Sequence, residues 1–124
     1  IGEGNSYREK LVSAYKKIGN HEYELASNLY SNLDSLDNVT IIGQDFSNKN
    51  RTPTVSFIHK KYSANEICKK LGEVNICAWD GHFYALKAIQ KLNLEKIGGV
   101  TRLGVSLYNS QDEIDRTVKV ISSL

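Results

Sequence analysis

The segment from Gly99 to Ser110 constrains the fold more than any other part of the chain. Leu103, Val105 and Leu107 alternate with Arg102, Gly104 and Ser106, and a period of two sends successive side chains to opposite faces of a strand. One face is then apolar, and the other carries a single cation beside two small residues. Such a strand belongs to a sheet that buries one face and offers the other to something different from a core. The guanidinium is a planar fork whose paired donors match a carboxylate, each charge-assisted hydrogen bond contributing roughly 1.5–3 kcal/mol. A surface salt bridge would leave the same pattern, so periodicity alone keeps both roles open.

Upstream, apolar residues recur at Tyr7, Leu11, Tyr15, Ile18, Leu25, Leu29, Leu33 and Leu36, in steps that draw one stripe along a helix. The phase survives Gly19-Asn20, which predicts either one long helix kinked there or two helices sharing a face, with Asn20 capping the second. The kinked single helix is the reading adopted. Asp37-Asn38 turns the chain into a strand at Val39–Ile42 that ends at Gly43. A polar loop follows, and Pro53 opens a second strand, Thr54–Ile58.

Ser63-Ala64-Asn65-Glu66 is a capping box that predicts a helix to about Glu73. Val74–Trp79 reads as a short apolar strand. Asp80-Gly81 then caps a helix His82–Leu92 with Phe83, Leu86 and Ile89 inward. Gly98-Gly99 frees the backbone before the Arg102 strand. A second capping box, Ser110-Gln111-Asp112-Glu113, starts a last helix with Ile114, Val118 and Ile121 inward. The order helix, strand, strand, helix, strand, helix, strand, helix predicts an α+β fold: a small antiparallel-type sheet with helices on one face, its other face bare. Residues 1–36 form the long helix and residues 37–124 the α+β body of a single domain. A bare face carrying Arg102 implies covering by a ligand or by further polypeptide.

At 124 residues the chain is the size of one domain. Its net charge of +2 is too small for a nucleic-acid footprint, and Lys60-Lys61 and Lys69-Lys70 lack the interleaved aromatics of a binding platform. No apolar run approaches the roughly 20 residues that cross a bilayer, and nothing at Ile1 resembles a signal sequence. The expectation is a cytoplasmic protein that engages neither membrane nor nucleic acid. Cys68 and Cys77 are not a CxxC pair, and His21, His59 and His82 are scattered. Metal binding is therefore not expected, and the two cysteines read as buried free thiols.

No phosphate-binding glycine loop, paired carboxylates or nucleophilic triad is legible. The candidates left are Arg102 and the turn Trp79-Asp80-Gly81-His82-Phe83-Tyr84, which places an imidazole and a phenol at the rim of the sheet. Packing would account for His82 and Tyr84 equally well.

The run Ile76-Cys77-Ala78-Trp79-Asp80-Gly81-His82-Phe83-Tyr84-Ala85, the later run Val100 to Asp115, and Arg51-Thr52-Pro53-Thr54-Val55-Ser56-Phe57 together resemble the C-terminal domain of class V aminotransferases. More narrowly, they resemble cysteine desulfurase-like proteins. The resemblance implies the small domain of a fold type I pyridoxal-phosphate enzyme. A large N-terminal domain would supply the Schiff-base lysine and most cofactor contacts, leaving no catalytic or cofactor-binding residue here. It implies that Arg102 binds the α-carboxylate of an amino-acid substrate, with His82 and Tyr84 lining the mouth of the site, and that the full-length enzyme is a homodimer. In true cysteine desulfurases the persulfide-forming cysteine occupies the place taken here by Tyr84, and a phenol does not accept sulfur in that way. The resemblance therefore implies kinship with desulfurases without their activity. A free-standing α+β module for ligand binding or regulation is the alternative, because fold by itself does not decide function.

Overall fold

Three Ser-x-x-Glu boxes set the starts of the three long helices. In each, the serine hydroxyl accepts the backbone N–H of the glutamate while the glutamate carboxylate accepts the serine N–H: Ser6 with Glu9, Ser63 with Glu66, Ser110 with Glu113. The last two are those predicted from the sequence; the first adds a cap to the helix that the apolar stripe predicts. The computed structural model describes residues 1–124. Its elements are α1 (Tyr7–Asp34), β1 (Val39–Ile42), β2 (Thr54–His59), α2 (Ala64–Glu73), β3 (Trp79–Gly81), α3 (Leu86–Lys91), a 3-10 turn (Glu95–Ile97), β4 (Val100–Gly104) and α4 (Gln111–Ser122). The single long helix expected at the start is found, and its helical run passes through Gly19-Asn20 without interruption.

The sheet order is β1-β2-β4-β3, antiparallel throughout. On one face Val55, Phe57, Thr101 and Leu103 point into a core closed by Leu25, Leu29 and Leu33 of α1, Ile67 and Leu71 of α2, and Ile114 and Ile121 of α4. The Thr101 hydroxyl donates to the Ala64 carbonyl at 3.3 Å, tying β4 to the first turn of α2. Burying one such leucine or phenylalanine contributes about 1.5–3 kcal/mol, and the central ones are almost wholly inaccessible. Only the second half of the α1 stripe joins this core. Tyr7 and Tyr15 remain 79% and 72% exposed, with Leu11 and Val12 also in solvent.

Four expectations are corrected. The second face is not bare along its whole length, since Ile89, Leu94 and Val100 form a smaller cluster with Ile42, Ile58, Phe83 and Ile97 that covers one end of it. The third strand is displaced: Val74–Ala78 is irregular, and pairing begins at Trp79. The helix predicted from His82 shrinks to Leu86–Lys91, because Phe83 and Tyr84 have φ of +49° and +61° and cannot belong to a right-handed helix. The cysteines are free as expected, but Cys68 is only half-buried and Cys77 is exposed.

Candidate functional site

β4 lies between β2 and β3, and register places Arg102 opposite Ser56 on one side and opposite Trp79 on the other. All three side chains share the face away from the main core, because Thr101 and Leu103, one residue either side of Arg102, are buried in that core. Arg102 is half-buried. The only ion pair of the chain joins Lys17 to Glu3, so no carboxylate engages the Arg102 guanidinium. Its Cζ instead lies 3.9 Å from the centroid of the Phe83 ring.

β4 can begin where it does because of the glycine before it. Gly99 has φ of +87°, and a Cβ there would fall 2.3 Å from the Gly81 carbonyl oxygen. Any side chain would push β3 off the start of β4. β3 therefore stays close, and the turn after it folds back over Arg102. His82 closes that turn twice: its Nδ1 accepts the Tyr84 N–H at 3.1 Å, and its carbonyl accepts the Ala85 N–H at 2.7 Å. The His82 and Tyr84 rings stand edge-to-face with centroids 6.3 Å apart, and Tyr84 is fully exposed. Phe83 in turn meets Trp79 edge-to-face at 6.5 Å.

The three side chains singled out in the sequence thus meet. Arg102, His82 and Tyr84, with Trp79 to Phe83, line one open depression of ≈ 360 Å³ on the uncovered part of the sheet. A cation with free donors between aromatic walls suits a small carboxylate. No lysine lines this depression, so the residues present do not fit pyridoxal phosphate itself, which needs an amine for its aldehyde. The seating of Phe83 over Arg102 is not legible in the sequence because His82-Phe83-Tyr84-Ala85 continues a helical pattern; the Asp80-Gly81 turn signal is the one local warning.

Other concavities hold less chemistry. One of ≈ 540 Å³ lies between α1 and the loop before β2. Its Arg51 is committed to the carbonyls of Gln44, Asp45 and Thr54 and stacks on Phe46 at 3.9 Å, which makes it a brace for the loop. Cys68 is unreactive by its surroundings: burial first, then the Asp80 carboxylate, pushes its thiol up to about 11.

An α+β body with a four-stranded antiparallel sheet and an open depression around Arg102 defines the class of domain. The sequence profile described as "Aminotransferase class-V" matches residues 10–117, and the chain belongs to that family, whose enzymes use pyridoxal phosphate. It is 27% identical over 92% of its length to a probable cysteine desulfurase of Methanothermobacter thermautotrophicus, and 32% identical over 83% to probable cysteine desulfurase 2 of Mycobacterium leprae. It covers 28% and 24% of those two proteins, so the chain spans about a quarter of their length. Among solved structures, apo cysteine desulfurase from Thermococcus onnurineus NA1 superposes with a TM-score of 0.77 at 25% identity, over 87% of this chain and 26% of that one. The Rickettsia africae NifS-like protein has the same fold, with a TM-score of 0.71 at 18% identity, over 93% of this chain and 31% of that one.

Proposed function

We propose that this chain is the C-terminal small domain of a pyridoxal-phosphate-dependent enzyme acting on an amino acid, with Arg102 as the anchor for the substrate α-carboxylate. The observation that carries the reading is the half-buried side chain of Arg102, engaged in no ion pair and lining an open depression. Two features favour part of a larger enzyme over a free-standing module. The apolar stripe of α1 continues through Leu11 and Tyr15 into solvent, as expected of a helix between two domains, and the chain covers only 24–29% of its curated relatives.

Arg102 would hold the carboxylate through two parallel N–H···O bonds, which fixes the orientation of the substrate α-carbon. The cofactor, held by residues outside this chain, would supply an electron sink for the carbanion at that carbon. His82 has Nδ1 engaged by a backbone N–H, so its neutral ring carries the proton on Nε2 and presents that N–H at the rim as a hydrogen-bond donor. Tyr84 stands where desulfurases place their sulfur-accepting cysteine, so formation of an enzyme persulfide at this turn is not part of the proposed reaction. The full-length enzyme is proposed to work as a homodimer in the cytoplasm.

In the full-length protein, Arg102→Ala is expected to abolish the change in cofactor absorbance that amino acids induce, while leaving the cofactor's own band in place. A substrate-induced change of unaltered size and midpoint removes Arg102 from the site.

A further inference from the structure

We propose that Phe83 is a positioning residue: its ring holds the Arg102 guanidinium in the orientation that receives a carboxylate. The inference rests on Arg102 being the carboxylate anchor and goes one step beyond it, to what keeps a long flexible side chain aimed.

Arginine has four rotatable side-chain bonds; Ser56 and Gly104 beside it are too small to confine it, and Trp79 bounds it on the β3 side. The ring seated on its guanidinium comes from the turn above the strand. The Arg102 Cζ lies 3.9 Å from the Phe83 ring centroid, close enough for the positive plane to be held against the negative face of the ring. A ring contact of this kind uses the face of the guanidinium and leaves its edge N–H groups free for a ligand. A carboxylate partner would have occupied those same donors.

Phe83 is itself fixed. It packs against the Ile89–Leu94–Val100 cluster and stands edge-to-face to Trp79 at 6.5 Å. Its backbone sits in the left-handed region with that of Tyr84, at φ +49° and +61°. Bulky L residues rarely adopt that region, and two in succession persist only where surrounding contacts over-determine them. Here His82 supplies those contacts by accepting the N–H groups of Tyr84 and Ala85. A helix through His82–Ala85, the conformation the local sequence prefers, would give up that closure and Phe83's place over Arg102. Holding the guanidinium ahead of binding lowers the ordering cost that binding would otherwise carry.

The test uses full-length protein carrying its cofactor, titrated with each of the twenty common amino acids and with the amines that lack their carboxylates. The readout is cofactor absorbance. In Phe83→Leu the midpoint for amino acids is expected to rise roughly five- to tenfold, with midpoints for the amines unchanged and the resting cofactor band intact. Phe83→Tyr, which keeps a ring face, is expected to restore the wild-type midpoint. If Arg102→Ala raises the amino-acid midpoint and Phe83→Leu does not, or if Phe83→Tyr is as impaired as Phe83→Leu, Phe83 does not position Arg102. If Arg102→Ala is silent, or no amino acid shifts the wild-type band, the carboxylate reading fails first and takes this inference with it.

Discussion

His59 and His82 each accept, at Nδ1, the backbone N–H two residues further on, from Lys61 and Tyr84 respectively, both at 3.1 Å. Their surroundings give the same local motif different consequences. His82 is exposed at the rim of the depression. His59 is buried beside Tyr62, and its Nε2 has no partner. Burial first, and the Lys61 charge second, hold the His59 imidazole below its ordinary range. The folded protein therefore resists a proton that the unfolded chain accepts. Stability is expected to fall as pH drops below about 6.5, by at most about 1.4 kcal/mol per pH unit from this group, until the folded-state value is reached. Urea unfolding at stepped pH measures it, and His59→Phe should flatten that part of the profile; an unchanged slope would show that other groups cause it. At this scale the sequence was informative where period decided the outcome. Arg102 falls on the predicted face because alternation leaves no other choice once Leu103 and Val105 are buried. Leu107, counted in the same alternation, is exposed because the strand ends at Gly104.

Elements were legible in proportion to their length and their caps. α2 and α4 start where their boxes predict, since a serine and a glutamate three residues apart satisfy two otherwise unpaired donors. Those hydrogen bonds leave a charge signature. The Ser63 hydroxyl holds the Glu66 carboxyl below the usual carboxylate range, and the Ser110 N–H does the same for Glu113. Ser110→Ala is expected to cost about 1 kcal/mol, read as a lower urea midpoint, because α4 supplies Ile114 and Ile121 to the core. A change within error would mean that packing alone sets the start of α4. β3 and α3 depart from their predicted bounds because both are short. Three strand residues and six helical ones carry too little pattern to outweigh a neighbour, and α3 has no side-chain cap. The close approach of Gly99 to Gly81 brings β3 onto β4, and neither sequence neighbourhood contains it.

At the scale of the molecule, the sheet divides into a covered face, a partly covered face and an open site where Arg102 emerges. The proposal that the cofactor is held elsewhere makes a plain prediction for this chain alone. Pyridoxal phosphate added to it is expected to give no stoichiometric, saturable absorbance band, since no lysine lines the depression. A single lysine that saturates at one equivalent would contradict the division of labour between domains. The order of elements, the α+β class, the inward faces of α2 and α4 and the side of the sheet that carries Arg102 were all determined by sequence alone. Each follows from a period or a cap, and both act between residues a few positions apart. Tertiary structure alone decided the left-handed pair at Phe83 and Tyr84, the seating of a ring over the guanidinium, and the exposure of half the α1 stripe. Those outcomes depend on which surfaces distant segments bring together, and the backbone accepts a locally unfavourable conformation only when such contacts outweigh it.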